Sequence, residues 1–214
     1  MNSLYRRQGG EFLRRAVWDM EVKMIREGAS VIPTRFGVSS VDEVLEKNIE
    51  ELGGFPVVVK NPDENHGRGV ALASSIDEVR AVASEMGSGE VLVLRKFIKN
   101  ARHVKCTVLR DKVLDVIEYL PVEGGFRTNA VKEPRVRPFE YDEKVFEVAR
   151  AALRADVVEF GGVDVLIDES GRPYVAEMNF PCNFSKNRMC TGVDIAEIVV
   201  DYLVSKANQD FVDS

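Results

Sequence analysis

Apolar residues recur along this chain with two different periods. From residue 11 to 27 the spacing is helical: Leu13, Val17, Met20 and Met24 follow an i, i+4, i+7, i+11 rhythm, and Gly28 closes the run. A second helix is expected from the capping box Ser40-Val-Asp-Glu43 to Leu52. A third is expected from the box Ser75-Ile-Asp-Glu78 through Met86, stopped by Gly87. Between them, FPVVVK (55–60) reads as a buried strand, NPDENHGRG as a turn-rich loop and VALAS as the next strand. VLVLRKFI (91–98) predicts a strand that leaves this first lobe, and HVKCTVLR with VLDVIEYL predicts a hairpin about the turn Asp111-Lys112. Helical spacing returns over 142–153, with Val145, Phe146, Ala149 and Leu153 on one stripe. It returns again over 193–205, with Ile195, Ile198, Val199, Tyr202 and Leu203. Helices covering one side of mostly antiparallel strands give an α+β class.

The segment GVDVLIDESGRPYVAEMN (162–179) departs from simple alternation. It reads as two strands joined by a four-residue loop, Glu169 to Arg172. If Asp168 pairs with Pro173, antiparallel counting sets Asp164 opposite Glu177, and Asn179 leaves the same face two residues on. Facing carboxylates repel. A divalent cation relieves that conflict: two carboxylates and an amide oxygen make a hard-oxygen set that suits Mg²⁺ with phosphates completing its shell. A surface hairpin with its acids in water satisfies the same pattern.

Composition narrows the classes. At 214 residues and 45% apolar, the chain can bury a core of one two-lobed domain or two small ones. A net charge of −6 argues against a nucleic-acid groove, which carries a basic field. Cys106, Cys182 and Cys190 have no CxxC spacing, and His66 and His103 stand alone, which argues against a zinc site or a disulfide framework. No signal peptide and no apolar run near ~18 residues is present, so a cytoplasmic protein without a membrane partner is expected.

Two further motifs carry potential chemistry. Lys60 ends a strand just before Gly67-Arg68-Gly69, where glycines let backbone N–H groups approach an anion and the two cations add charge. A plain hairpin loop fits as well. FRTN (126–129) sets Arg127 and Asn129 on one face of an extended segment, and arginine grips phosphate or carboxylate with a bidentate fork. An exposed strand with outward polar residues is the alternative. Cys182 lacks a histidine in a suitable context and is expected to be a small lining residue.

Taken in order, these features resemble the ATP-grasp superfamily and, within it, the RimK-type peptide and amino-acid ligases. GGFPVVVK followed by NHGRGV is similar to that family's phosphate-binding lysine and glycine-rich flap. VLVLRKFI resembles the hinge strand whose backbone holds the adenine, which points to Arg95, Lys96, Phe97 and Ile98. RHVKCTVLRDKVLDVIEYL with GGFRTN resembles the central hairpin and the arginine–asparagine motif. GVDVLIDESGRPYVAEMN resembles the metal hairpin, and TGVDIAEIVVDYL the closing helix.

The resemblance implies an ATP-grasp fold of two α+β subdomains with nucleotide between them. The small one would span 30–90 and the large one 91–214, after an N-terminal helical segment over 1–29. It also implies ATP and Mg²⁺, with Mn²⁺ as a substitute. Departures are visible. Only residues 1–16 stand where relatives carry a whole N-terminal domain, and Val17 replaces a lysine, with Arg14 and Arg15 as candidate substitutes. Arg95 and Lys96 replace a polar or acidic pair, Lys99-Asn100 follows the hinge where an acid holds the ribose, and Tyr119 replaces a basic residue. Pro181-Cys182-Asn183 replaces a Pro-Gly.

The implied function is an ATP-dependent carboxylate–amine ligase working through an acylphosphate, with small-molecule or peptide acids and amines as substrates. Asp164, Glu177 and Asn179 would hold the metal, Lys60, Gly67, Arg68 and Gly69 the phosphates, and Arg127 and Asn129 the reacting carboxylate. A nucleotide-binding partner subunit and a small-molecule kinase use the same scaffold. The apolar residues of the first helix predict self-association or a partner chain.

Overall fold

The computed structural model describes residues 17–38, 41–60, 70–85, 91–121, 134–156 and 158–212. They fall into two units. One comprises Ile32–Lys99 and the other the residues up to Val31 together with Asn100–Ser214.

The smaller unit begins with β1 (Thr34–Val38), a strand not anticipated from the sequence, followed by α2 (Asp42–Glu51). Then come β2 (Val57–Lys60), β3 (Val70–Ala73), α3 (Ile76–Glu85) and β4 (Val91–Lys96). These strands form one antiparallel sheet in the order β1-β4-β2-β3. Leu45, Ile49, Val79 and Ala83 from the two helices pack on Val57, Val59, Leu92 and Leu94 from the sheet. Gly37 permits close approach, since a Cβ there would lie 2.8 Å from Leu45 Cδ2. The boundary expected near residue 90 is corrected by β4, which sits between β1 and β2 as an inner strand of this sheet. Its consecutive buried residues Leu92, Val93 and Leu94 demand cover on both faces.

The two expected capping boxes behave differently. Val41, not Ser40, is the N-cap of α2, and it makes no side-chain cap bond. At α3 the Glu78 N–H donates to Ser75 Oγ at 3.2 Å, and the Ser74 N–H donates to the Glu78 carboxylate at 2.7 Å. That satisfies one orphan donor of the first turn and the N–H of Ser74 just before the helix.

The larger unit starts with α1 (Val17–Arg26), whose Met24 is buried against the sheet's helix layer; residues 11–16 of the expected helix lie outside the described residues. The remaining elements are β5 (Arg102–Leu109), β6 (Lys112–Tyr119), β7 (Val136–Pro138) and α4 (Glu143–Arg154). Then come β8 (Phe160–Ile167), β9 (Pro173–Asn179), α5 (Asn187–Thr191) and α6 (Ile195–Val212). An antiparallel sheet runs in the order β7-β6-β5-β8-β9. Alternation divides its faces. Val104, Cys106, Val108, Val163, Val165 and Val175 point into the core under α4, which presents Val145, Ala149 and Leu153. Asp142 caps α4 by accepting from the Lys144 N–H at 3.0 Å. The hairpin turn is Arg110-Asp111, one residue earlier than expected, with Arg110 at φ 55°.

Candidate functional site

The opposite face of the five-stranded sheet carries the polar residues. On β5 these are His103, Lys105 and Thr107, alternating with the core valines and Cys106. Lys105 is the Cα partner of Asp164 on β8, and Asp164 is the Cα partner of Glu177 on β9. Three adjacent strands therefore set a lysine and two carboxylates in one cross-strand row.

Asp164 and Glu177 meet as counted, but the count that places them is corrected. Ile167, not Asp168, pairs with Pro173, and the loop runs from Asp168 to Arg172. Asp168 instead organises that loop, its Oδ1 accepting from the Ser170 and Arg172 N–H groups at 2.9 and 3.0 Å. A bulge at Ala176, between the pairs Val165–Val175 and Asp164–Glu177, then restores the register.

Asp164 is only 7% exposed, and both of its oxygens are engaged. Oδ2 accepts from Asn179 Nδ2 at 3.1 Å, and Oδ1 lies 3.0 Å from His103 Nε2. Against an ionised carboxylate that nitrogen must carry the proton. Tyr119 packs on the His103 ring at 4.8 Å between centroids. Burial and the Asp164 charge push the Tyr119 hydroxyl up to about 12, so it stays neutral near pH 7. Glu177 is exposed and Asn179 half-buried. The donor set is thus one buried and one open carboxylate with an amide beside them, all hard-oxygen chemistry that fits Mg²⁺ or Mn²⁺.

Lys105 was missed from the sequence. It is 8% exposed, yet no hydrogen bond or ion pair to its ammonium group occurs among the described residues. Its stem crosses Gly162: a Cβ on Gly162 would lie 2.8 Å from Lys105 Cε and 2.8 Å from Cys182 Cβ. Burial raises the Cys182 thiol to about 11, against a lowering by Lys105, which leaves it protonated and consistent with a lining residue. The signal for Lys105 and His103 was present in the polar alternation HxKxT of β5.

The smaller unit carries the other candidates. Lys60 ends β2, half-buried, as the Cα partner of Val70 and of Val93. Arg95 and Lys96 end β4, with the Lys96 N–H donating to Pro33 O at 2.9 Å, and Ile98 is buried beyond them while Phe97 is half-buried. Gly67, Arg68, Gly69, Arg127 and Asn129 lie outside the described residues, as do Arg14 and Arg15.

A family model described as the RimK-like ATP-grasp domain matches residues 21–203. The chain belongs to the RimK-like ATP-grasp family. A ribosomal protein bS6–L-glutamate ligase of Escherichia fergusonii is 29% identical over 191 residues, covering 88% of this chain and 63% of the relative. A probable alpha-L-glutamate ligase of Pseudoalteromonas translucida is 31% identical over 186 residues, covering 86% and 61%. The chain therefore spans less than two thirds of the length of these relatives. The ATP-grasp fold is also that of the D-alanine–D-alanine ligase of Bacillus anthracis, with a TM-score of 0.69 at 19% identity, covering 91% of this chain and 68% of that one. The ATP-grasp ligase PsnB with a minimal precursor gives 0.68 at 16% identity, covering 87% and 59%. No helix among the described residues of this RimK-like chain is long and apolar enough to cross a membrane.

Proposed function

We propose that this chain is an ATP-dependent carboxylate–amine ligase, with L-glutamate as the first amine to test. The carrying observation is Asp164 opposite Glu177 and bonded to Asn179, with buried Lys105 in the same row. Support for the amine comes from two relatives whose names specify L-glutamate.

Asp164, Glu177 and Asn179 would hold Mg²⁺, which when bound neutralises polyphosphate charge. His103 fixes one Asp164 oxygen so that the carboxylate keeps its direction. Lys105 would bring a desolvated positive charge to the phosphoryl group in transfer, where charge stabilisation exceeds that in water. Lys60 and the Gly67–Gly69 segment with Arg68 would bind the phosphates, and the backbone of Arg95–Ile98 the adenine. Arg127, with Asn129 beside it, would hold the substrate carboxylate.

A carboxylate oxygen attacks the γ-phosphorus, the bond to the bridging oxygen breaks, and ADP leaves. The amine then attacks the acyl carbon of the acylphosphate, loses a proton and expels phosphate, leaving an amide. The test is ADP release from Mg²⁺-ATP with L-glutamate and a panel of acids and short peptides, each omitted in turn. Release that needs both acid and amine supports the proposal. Release with one acceptor alone indicates a kinase, and nucleotide binding without release indicates a partner subunit.

A further inference from the structure

The ladder between β5 and β6 carries a negative charge that has no cationic partner among the described residues. Asp115 on β6 is half-buried, and its Oδ2 accepts from Asn187 Nδ2 and from Thr191 Oγ1, both at 2.7 Å. Thr191 has a single hydroxyl proton and also lies 2.9 Å from Asn187 O, so its donation is divided. No Lys, Arg or His pairs with Asp115 among the described residues. Burial, and after it the Asp115 charge, raise the Cys190 thiol.

Two more oxygens lie in the same cluster without a hydrogen-bond partner. Asn187 is 1% exposed, and with its Nδ2 committed to Asp115 its Oδ1 is left unsatisfied. Thr107 is fully buried with Oγ1 unsatisfied, and it is the Cα partner of Asp115, so both side chains rise from one sheet face. Orphaned buried polar atoms are rare in folded proteins and mark a missing partner. Here the missing partner must satisfy oxygens only and supply positive charge. A water molecule could meet the geometry but would leave the half-buried carboxylate unbalanced.

We propose that Asp115, Asn187 and Thr107 form a binding site for a small monovalent cation, an alkali ion or a primary ammonium group. One carboxylate with two neutral oxygens balances a single charge, whereas divalent sites gather several carboxylates. The site is separate from the Asp164 cluster. Thr107 pairs with Gly162 and Lys105 with Asp164, so the two groups occupy neighbouring rows of the sheet. A bound cation ties α5 to β5 and β6, and hence fixes the loop between β9 and α5 at its far end. It does not depend on ATP turnover.

The test is the melting temperature of the whole chain in equal concentrations of potassium, sodium, methylammonium or tetramethylammonium chloride. The last is too large for the site and has no N–H, so it controls for ionic strength. A cation at tenfold its dissociation constant should raise the melting temperature by about 3–6 °C over tetramethylammonium. Asp115→Asn removes the charge and supplies its own donors to Asn187 Oδ1 and Thr107 Oγ1. That variant should melt at or above the parent in tetramethylammonium chloride and ignore the other cations. Thr107→Val keeps the volume, removes one oxygen and should weaken the response at least several-fold. A response to alkali ions alone assigns a free ion, and a response to methylammonium alone assigns an amine-bearing ligand. Identical melting in all four salts, or a response that survives both substitutions, overturns the proposal.

Discussion

Asp164 faces Glu177 because Ala176 is an extra residue in β9. Counting straight from the Ile167–Pro173 pair would put Ala176 opposite Asp164 and turn Glu177 toward the core, since a slip of one residue exchanges the faces of a strand. The bulge absorbs that residue and returns both Glu177 and Asn179 to the face of Asp164. The proposed metal site rests on this paired carboxylate conflict, which a local irregularity builds.

Glu177→Gln should therefore separate function from folding. Glu177 is exposed, so its loss should change stability by no more than about 0.5 kcal/mol. Mn²⁺ binding, read by electron paramagnetic resonance without nucleotide, should weaken at least tenfold. Lys60→Ala should instead leave Mn²⁺ binding intact and weaken ATP binding. Equal Mn²⁺ affinity in the parent and Glu177→Gln would remove Glu177 from the metal site.

Gly162→Ala probes the space that Lys105 needs. The new Cβ meets Lys105 Cε and Cys182 Cβ at 2.8 Å each. The lysine end can swing, but Cys182 Cβ is fixed to the backbone, so overpacking of about 1–3 kcal/mol is expected. The melting temperature should fall by several degrees and turnover should drop with it. Unchanged stability would mean that the loop after β9 gives way freely.

The acid limb of stability should depend on Glu118. This 4% exposed carboxylate accepts from Arg102 Nε and Nη2, both at 2.8 Å, and from Arg137 Nε at 2.9 Å. The Arg102 hydrogen bonds, helped by Arg137, hold its pKa at about 2, against burial and below its ordinary 4.5. A depressed carboxylate stabilises fully above its unfolded pKa and loses that contribution as pH falls from 4.5 toward 2. The stability gap between the parent and Glu118→Gln should be largest near neutral pH and shrink below about pH 4.5. Urea midpoints at several pH values measure it, and a gap that does not vary with pH would contradict the assignment.

The first helix tests the expected interface. Val22 and Ile25 on α1 are 43% and 56% exposed, while Met24 on the same helix is buried. Light scattering at micromolar concentration should show self-association, reduced by Val22→Glu with Ile25→Glu. A monomer in both samples removes this interface.

Much of this was legible because it is local. β9 begins at a proline straight after a turn-rich loop, so Pro173–Asn179 could be bounded from the sequence, and α4 shows its apolar stripe. What depended on distant partners was not. β1 is a short edge strand with a charge at Arg35 and a glycine at Gly37, and only its pairing with β4 makes it a strand. α5 has five residues, too few to show a period, and is closed by Gly192 at φ 82°. Lys105 and His103 become candidate site residues only when β5 pairs with β8, a register set some sixty residues away along the chain. The Ala176 bulge left no signature, since nothing in YVAEM distinguishes a regular strand from a bulged one.

Ligation is tested by the ADP formed from Mg²⁺-ATP with acid and amine supplied together and each alone. Rapid ADP release is expected only with both present, with one amide per ADP and no more than slow acylphosphate hydrolysis with the acid alone. Equal ADP release with a single acceptor, accompanied by a stable phosphorylated product and no amide, would contradict it.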